Sequence, residues 1–87
     1  MAQLKKRIQG VSTEQTVRAT ATFLHRVILS NANAAAQILT LTDGAAIENV
    51  LRVGATATIV IDVGVLFDTS LKVTPSHADV DALILYD

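Results

Sequence analysis

Two histidines and two aspartates are the residues here whose types and spacing suggest chemistry. His25 shares the parity of the apolar residues around it, so a carboxylate beside it would make it a general base or a ligand. It has no second histidine clustered with it and the chain has no cysteine, so it reads as a histidine at the rim of a core. His77 follows Pro75 and Ser76 and reads as a turn residue. Asp79 and Asp81 alternate with Val80 and Ala82, which puts both carboxylates on one strand face, where they could grip calcium with a loop oxygen. A calcium cage takes about six oxygens and only this pair is visible, so solvated strand charges are expected, with no metal and no cofactor. A serine nucleophile would need a strained G-x-S-x-G turn with an acid and a base, and no such motif occurs. The sequence therefore predicts no catalytic residue and no enzyme.

Other recognition chemistries fare no better. Paired threonines at Thr20/Thr22, Thr40/Thr42 and Thr56/Thr58 could form outward ladders of the ice-binding kind, but their intervals of twenty and sixteen are irregular, and they read as β-formers on solvent faces. Nucleic-acid binding wants a basic stripe with interleaved aromatics. Phe23, Phe67 and Tyr86 are the only aromatics and all three read as core, so no nucleic-acid partner is expected. The lack of tryptophan likewise weakens a glycan-binding module. Charge is unevenly divided: residues 1–30 hold five of the seven basic groups against Glu14 alone, whereas residues 31–87 hold two basic and seven acidic groups. That division suits a nucleic-acid arm or a head-to-tail contact between copies, although surface charges on strands often scatter unevenly with no role.

These side chains must be positioned by a single small domain, because 87 residues leave no room for a second. At 51% apolar and 17% charged, the chain is too hydrophobic for a disordered segment and has little to cover a surface with. Ten valines, seven isoleucines and ten threonines favour pleated structure. The apolar run at 57–67 is interrupted by Asp62 and falls short of the roughly 18 residues that span a bilayer, and polar residues follow Lys5-Lys6-Arg7 where an export signal would be apolar. A soluble protein with no membrane partner is expected.

Period-2 alternation predicts a long strand over 19–30, with Ala19, Ala21, Phe23, Val27 and Leu29 on one face. Further strands follow at 37–42, 47–53, 55–63, 65–67, 71–74 and 78–86, separated by an alanine-rich link, by the Asp43-Gly44 turn signal, by bends at Gly54 and Gly64, by Asp68-Thr69-Ser70 and by Pro75. Six to eight short strands without a helical period predict an all-β fold, a single small antiparallel β-sandwich of jelly-roll-like or immunoglobulin-like order over 19–87. Residues 1–18 are polar and mixed, with Gly10 as a hinge, and read as an N-terminal arm or edge strand. As an arm it would dock on a neighbouring copy or a larger assembly through Leu4, Lys5, Lys6, Arg7 and Ile8.

Apolar residues also occur on the wrong parity: Leu24 and Ile28, Ile38, Val60, Leu83 and Leu85. A chain this short has no helical layer to cover an outer sheet face, so these six residues predict an interface, covered by another subunit or a larger assembly.

From Phe23 onward the chain resembles a group of small virion-associated β-sandwich proteins of tailed bacteriophages. The resemblance rests on the strand ending Val27-Ile28-Leu29-Ser30-Asn31, the alanine-rich link, and Leu39-Thr40-Leu41-Thr42-Asp43-Gly44. It continues in Val65-Leu66-Phe67-Asp68-Thr69-Ser70-Leu71-Lys72-Val73 and in the closing Ala78-Asp79-Val80-Asp81-Ala82-Leu83-Ile84-Leu85-Tyr86, about three-quarters of the chain together. Ser70 stands where that group often has glycine. The resemblance implies a non-enzymatic structural protein located in the virion: a capsid cement or decoration protein, or a tail or fibre component, that self-associates, as a trimer if it follows the group, and binds a viral capsid or tail protein. The alternative from another class is a small glycan- or ligand-binding β-sandwich module.

Overall fold

A computed structural model describes residues 4–87. The described residues form eight strands: β1 (Leu4–Ile8), β2 (Gln15–Arg18), β3 (Thr22–Asn31), β4 (Gln37–Asp43), β5 (Ala46–Val53), β6 (Thr58–Phe67), β7 (Leu71–Pro75) and β8 (Val80–Tyr86). They make two four-stranded antiparallel sheets, ordered β1-β8-β3-β6 and β2-β7-β4-β5. Only the β4–β5 hairpin stays within one sheet; every other connection crosses to the opposite sheet. This is the strand order of a jelly roll, and it decides between the two expected sandwiches, since an immunoglobulin order would pair β1 with β2 rather than with β8.

The facing sides of the sheets carry the alternating apolar residues. Leu24, Val27, Leu29 and Ile84 from the β1 sheet are fully buried, as are Leu39, Leu41, Leu71 and Val73 from the β2 sheet, with Phe67 among them at one end. At roughly 25 cal/mol per Å2 each of these side chains contributes on the order of 1.5–3 kcal/mol by leaving water, the main drive for a domain without disulfides.

Of the two readings of the N-terminal segment, the described residues take the edge strand and not the arm. Residues 4–8 pair with β8 from Leu4↔Tyr86 to Ile8↔Ala82, and 15–18 pair with β7, so the segment supplies one edge strand to each sheet. Ile8 is 3% exposed and lies in the core, so it is not a contact for another chain. Leu4, Lys5, Lys6 and Arg7 are exposed. The part of that expectation falling on residues 1–3 lies outside the described residues.

A second correction concerns β3. Its pairings with β6 and β8 both shift register between Leu24 and Arg26: against β8 the extra residue is His25, a bulge on β3, and against β6 it lies on β6, at Val63-Gly64. Before the bulge Thr22 and Leu24 point inward; after it Val27, Leu29 and Asn31 do. Single parity over residues 19–30 is thereby broken: Leu24 belongs to the core rather than to an interface, and Phe23 faces outward, half-buried, rather than into the core. On the facing strand, Gly64 takes φ +63° where the register shifts, a conformation that L side chains rarely adopt. β6 runs through this glycine instead of ending at it.

The turn after β4 is tighter than Asp43-Gly44 suggested. Asp43 pairs with Ala46, leaving Gly44 and Ala45 as a two-residue loop in which Gly44 alone takes a positive φ, +61°, the requirement of a type II′ hairpin.

Candidate interaction surface

The outer face of the β1 sheet gathers four of the six wrong-parity residues into one patch. Reading across the strands, Arg7 lies beside Leu83, Leu83 beside Ile28, and Ile28 beside Val60. The next row is Lys5, Leu85, Arg26 and Asp62. One end of the face is closed by the Phe23–Leu66 pair, the other by Asp81, Ser30 and Thr58, the hydroxyls of the latter two standing 3.0 Å apart. Val60 and Leu66 are each 59% exposed, while Ile28, Leu83 and Leu85 are half-buried. The apolar stripe is therefore continuous across three strands, bordered by two cations on β1 and by the Arg26–Asp62 ion pair, 2.6 Å long, toward β6.

The remaining candidates do not join this patch. Ile38 is on the outer face of the other sheet, paired with Arg52, and Leu24 is in the core. Across that second sheet the most exposed large apolar residue is Ile47, on β5.

The chemistry-bearing side chains are dispersed. His25 Nε2 approaches Asp87 Oδ2 at 3.0 Å but forms no hydrogen bond within ordinary angles, and its ring stands edge-on to Phe23 with centroids 4.7 Å apart. The nearby hydroxyl of Thr22 is engaged, donating to the backbone carbonyl of Asp87. Asp79 and Asp81 are parted: β8 begins at Val80, so Asp79 lies in the preceding turn, where it accepts from Asn33 Nδ2 at 3.2 Å and sits 3.5 Å from His77 Nδ1, whereas Asp81 is opposite Ser30 on the sheet. Among the described residues no group of three or more histidines and carboxylates converges on a common point, and no cleft opens.

Sequence reasoning missed the role of Asp43. Its carboxylate accepts backbone N–H bonds from Asp68 at 2.9 Å, Thr69 at 2.8 Å and Ser70 at 3.2 Å, tying the β4–β5 turn to the β6–β7 turn. Ser70, buried beneath, accepts from the Gly44 N–H at 3.1 Å through its hydroxyl. The Thr69 bond foremost, with those of Asp68 and Ser70, holds the Asp43 carboxyl below its ordinary value against an opposing desolvation. The only signals in the sequence were an aspartate before a turn glycine and a serine in place of the glycine expected at position 70.

Compared with known proteins, the chain matches no family model, no curated protein and no solved structure.

Proposed function

We propose that this chain is a non-enzymatic structural protein of a bacteriophage particle, a capsid cement or decoration protein that self-associates and binds the capsid lattice. The observation that carries the reading is the continuous apolar stripe Leu83-Ile28-Val60 on an outer sheet face, bordered by charge. Such a surface fits a flat protein partner, whereas catalysis and small-ligand binding ordinarily use a concave site with converging polar groups. The jelly-roll order supports the virion assignment by analogy alone, since this topology also serves lectins and cupins. A tail or fibre location uses the same surface. Self-association takes its stability from covering the stripe.

The test is immunolabelling. Phage particles purified from the source culture are imaged in negative stain with an antibody against this chain. Regular labelling of the shell supports a decoration protein, labelling of the tail moves the assignment there, and particles free of label overturn the virion reading in favour of a binding module.

A further inference from the structure

We infer that the outer face of the β1 sheet docks on the same face of a second copy about a twofold axis parallel to the strands, running between β8 and β3. The inference deepens the proposed self-association by naming its surface and symmetry, and the arrangement of charge selects it.

An isologous face-to-face pair has its twofold axis in the plane between the sheets. If that axis ran across the strands, β1 would lie over its own copy and the two rows would exchange, setting Lys5 against Arg7 of the second copy. If it runs along the strands, β1 lies over β6 of the second copy and each row meets itself reversed. Lys5 then faces Asp62 of the second copy, and Asp62 faces its Lys5, so each ion pair forms twice. In the adjacent row Leu83 faces Ile28 of the second copy, twice over at the centre, and the stem of Arg7 covers the exposed Val60. The Arg26 stem lies over Leu85. Lys5 and Asp62 meet, the two copies of Arg26 stand one strand apart across the axis with each held by its own Asp62, and the apolar stripe is covered along its length.

Packed sheets keep their strands within about 30° of one another, so the match is closest beside the axis, where Leu83 and Ile28 are. The molecule measures 35 × 27 × 18 Å, and its broad side has the size needed for the roughly 800 Å2 that each partner gives to a standard interface.

The test uses sedimentation of the full chain at micromolar concentration with two single variants, Lys5→Glu and Asp62→Lys, both at exposed edge-strand positions and both checked for an unchanged strand signature by circular dichroism. The unmutated chain is expected at twice the monomer mass. Each variant alone sets like charges together in both ion pairs and is expected to weaken association about tenfold or more. An equimolar mixture of the two restores both pairs in the mixed dimer, and is expected to associate as tightly as the unmutated chain. Leu83→Asp is expected to give a folded monomer, whereas Ile47→Asp, on the other sheet, leaves the mass unchanged. A mixture no tighter than its components overturns the twofold arrangement, as does a mass three times that of the chain; a monomeric unmutated chain overturns self-association. Labelling of particles stands apart from all of these outcomes, so failure of the dimer and failure of the virion assignment are read separately.

Discussion

Asp43 shows how one side chain can join two turns that are distant in sequence. Its carboxylate organises the N–H groups of residues 68–70 only while ionised, since a protonated acid is a far weaker acceptor for three donors. The folded chain binds this proton less tightly than the unfolded chain, whose ordinary value is 3.8. The resulting stabilisation is present in full above about pH 4 and is lost as pH falls through the lowered folded value. An asparagine side chain at this position would not titrate, so the Asp43→Asn variant should lose less of its melting temperature than the unmutated chain on going from about pH 5 to about pH 2. Thermal melts at a series of pH values check this, and equal losses in the two proteins would refute it. A second contrast at this scale follows from the bulge at His25. Leu24→Ala should cost about 2–5 kcal/mol because it empties a fully buried site, and Phe23→Ala distinctly less because that ring is half in solvent. Urea unfolding of the two variants gives the order, and the reverse order would restore a single parity for the strand. Nothing in the residue types at 24–26 announces the bulge; the trace it leaves is Gly64 on the facing strand, which in sequence reads as a bend.

At the scale of elements, alternation and turn chemistry made most of the strands legible. The stretches around 37–43, 71–75 and 80–86 carry an apolar parity that matches the buried face, whereas in 47–53 a register shift beside Glu48 leaves Ile47 exposed although it shares the parity of buried Leu51 and Val53. β1 was less legible because an edge strand paired on one side only needs few apolar anchors, and Lys5, Lys6 and Arg7 are what a protected edge carries. Ile8 was its one sign of integration. The apolar stripe was legible as a set of residues but not as a surface: only register could show that Ile28, Val60 and Leu83 share a row while Ile38 and Leu24 lie elsewhere. Deleting residues 2–10 therefore removes a strand of the β1 sheet. It uncovers one edge of β8 and withdraws Ile8, whose burial alone is worth about 1.5–3 kcal/mol. At roughly 4–8 °C per kcal/mol for a domain of this size, the truncated chain should melt more than about 10 °C lower, or fail to fold. A truncation that kept its strand signature and its melting temperature would return the segment to the status of an arm.

At the scale of the whole molecule, the topology sets the kinetics. Strand β1 pairs with β8 and β3 with both β8 and β6, so the β1 sheet is complete only when residues from the two ends of the chain have met, as in the Leu4↔Tyr86 pair. A jelly roll has a single local hairpin here, β4–β5, and the other pairings each close a loop before any contact rewards it. Small size should not make this protein a fast folder. Refolding is expected in milliseconds to seconds, in the range of other sandwiches and orders of magnitude slower than helical bundles of like length. The chain has no cysteine, so disulfide exchange plays no part in such a rate. Tyr86, the only tyrosine in a chain without tryptophan, sits in β8 opposite Leu4 and Leu24, and its fluorescence reports the closure of that sheet. Stopped-flow refolding should therefore show the tyrosine signal and the far-ultraviolet strand signal rising together in one phase, at a rate independent of protein concentration if the monomer folds before it associates. Completion of both signals within microseconds would mean that local contacts dominate, contrary to the strand order; a rate that rises with concentration would mean that covering the stripe on the outer face is part of folding itself.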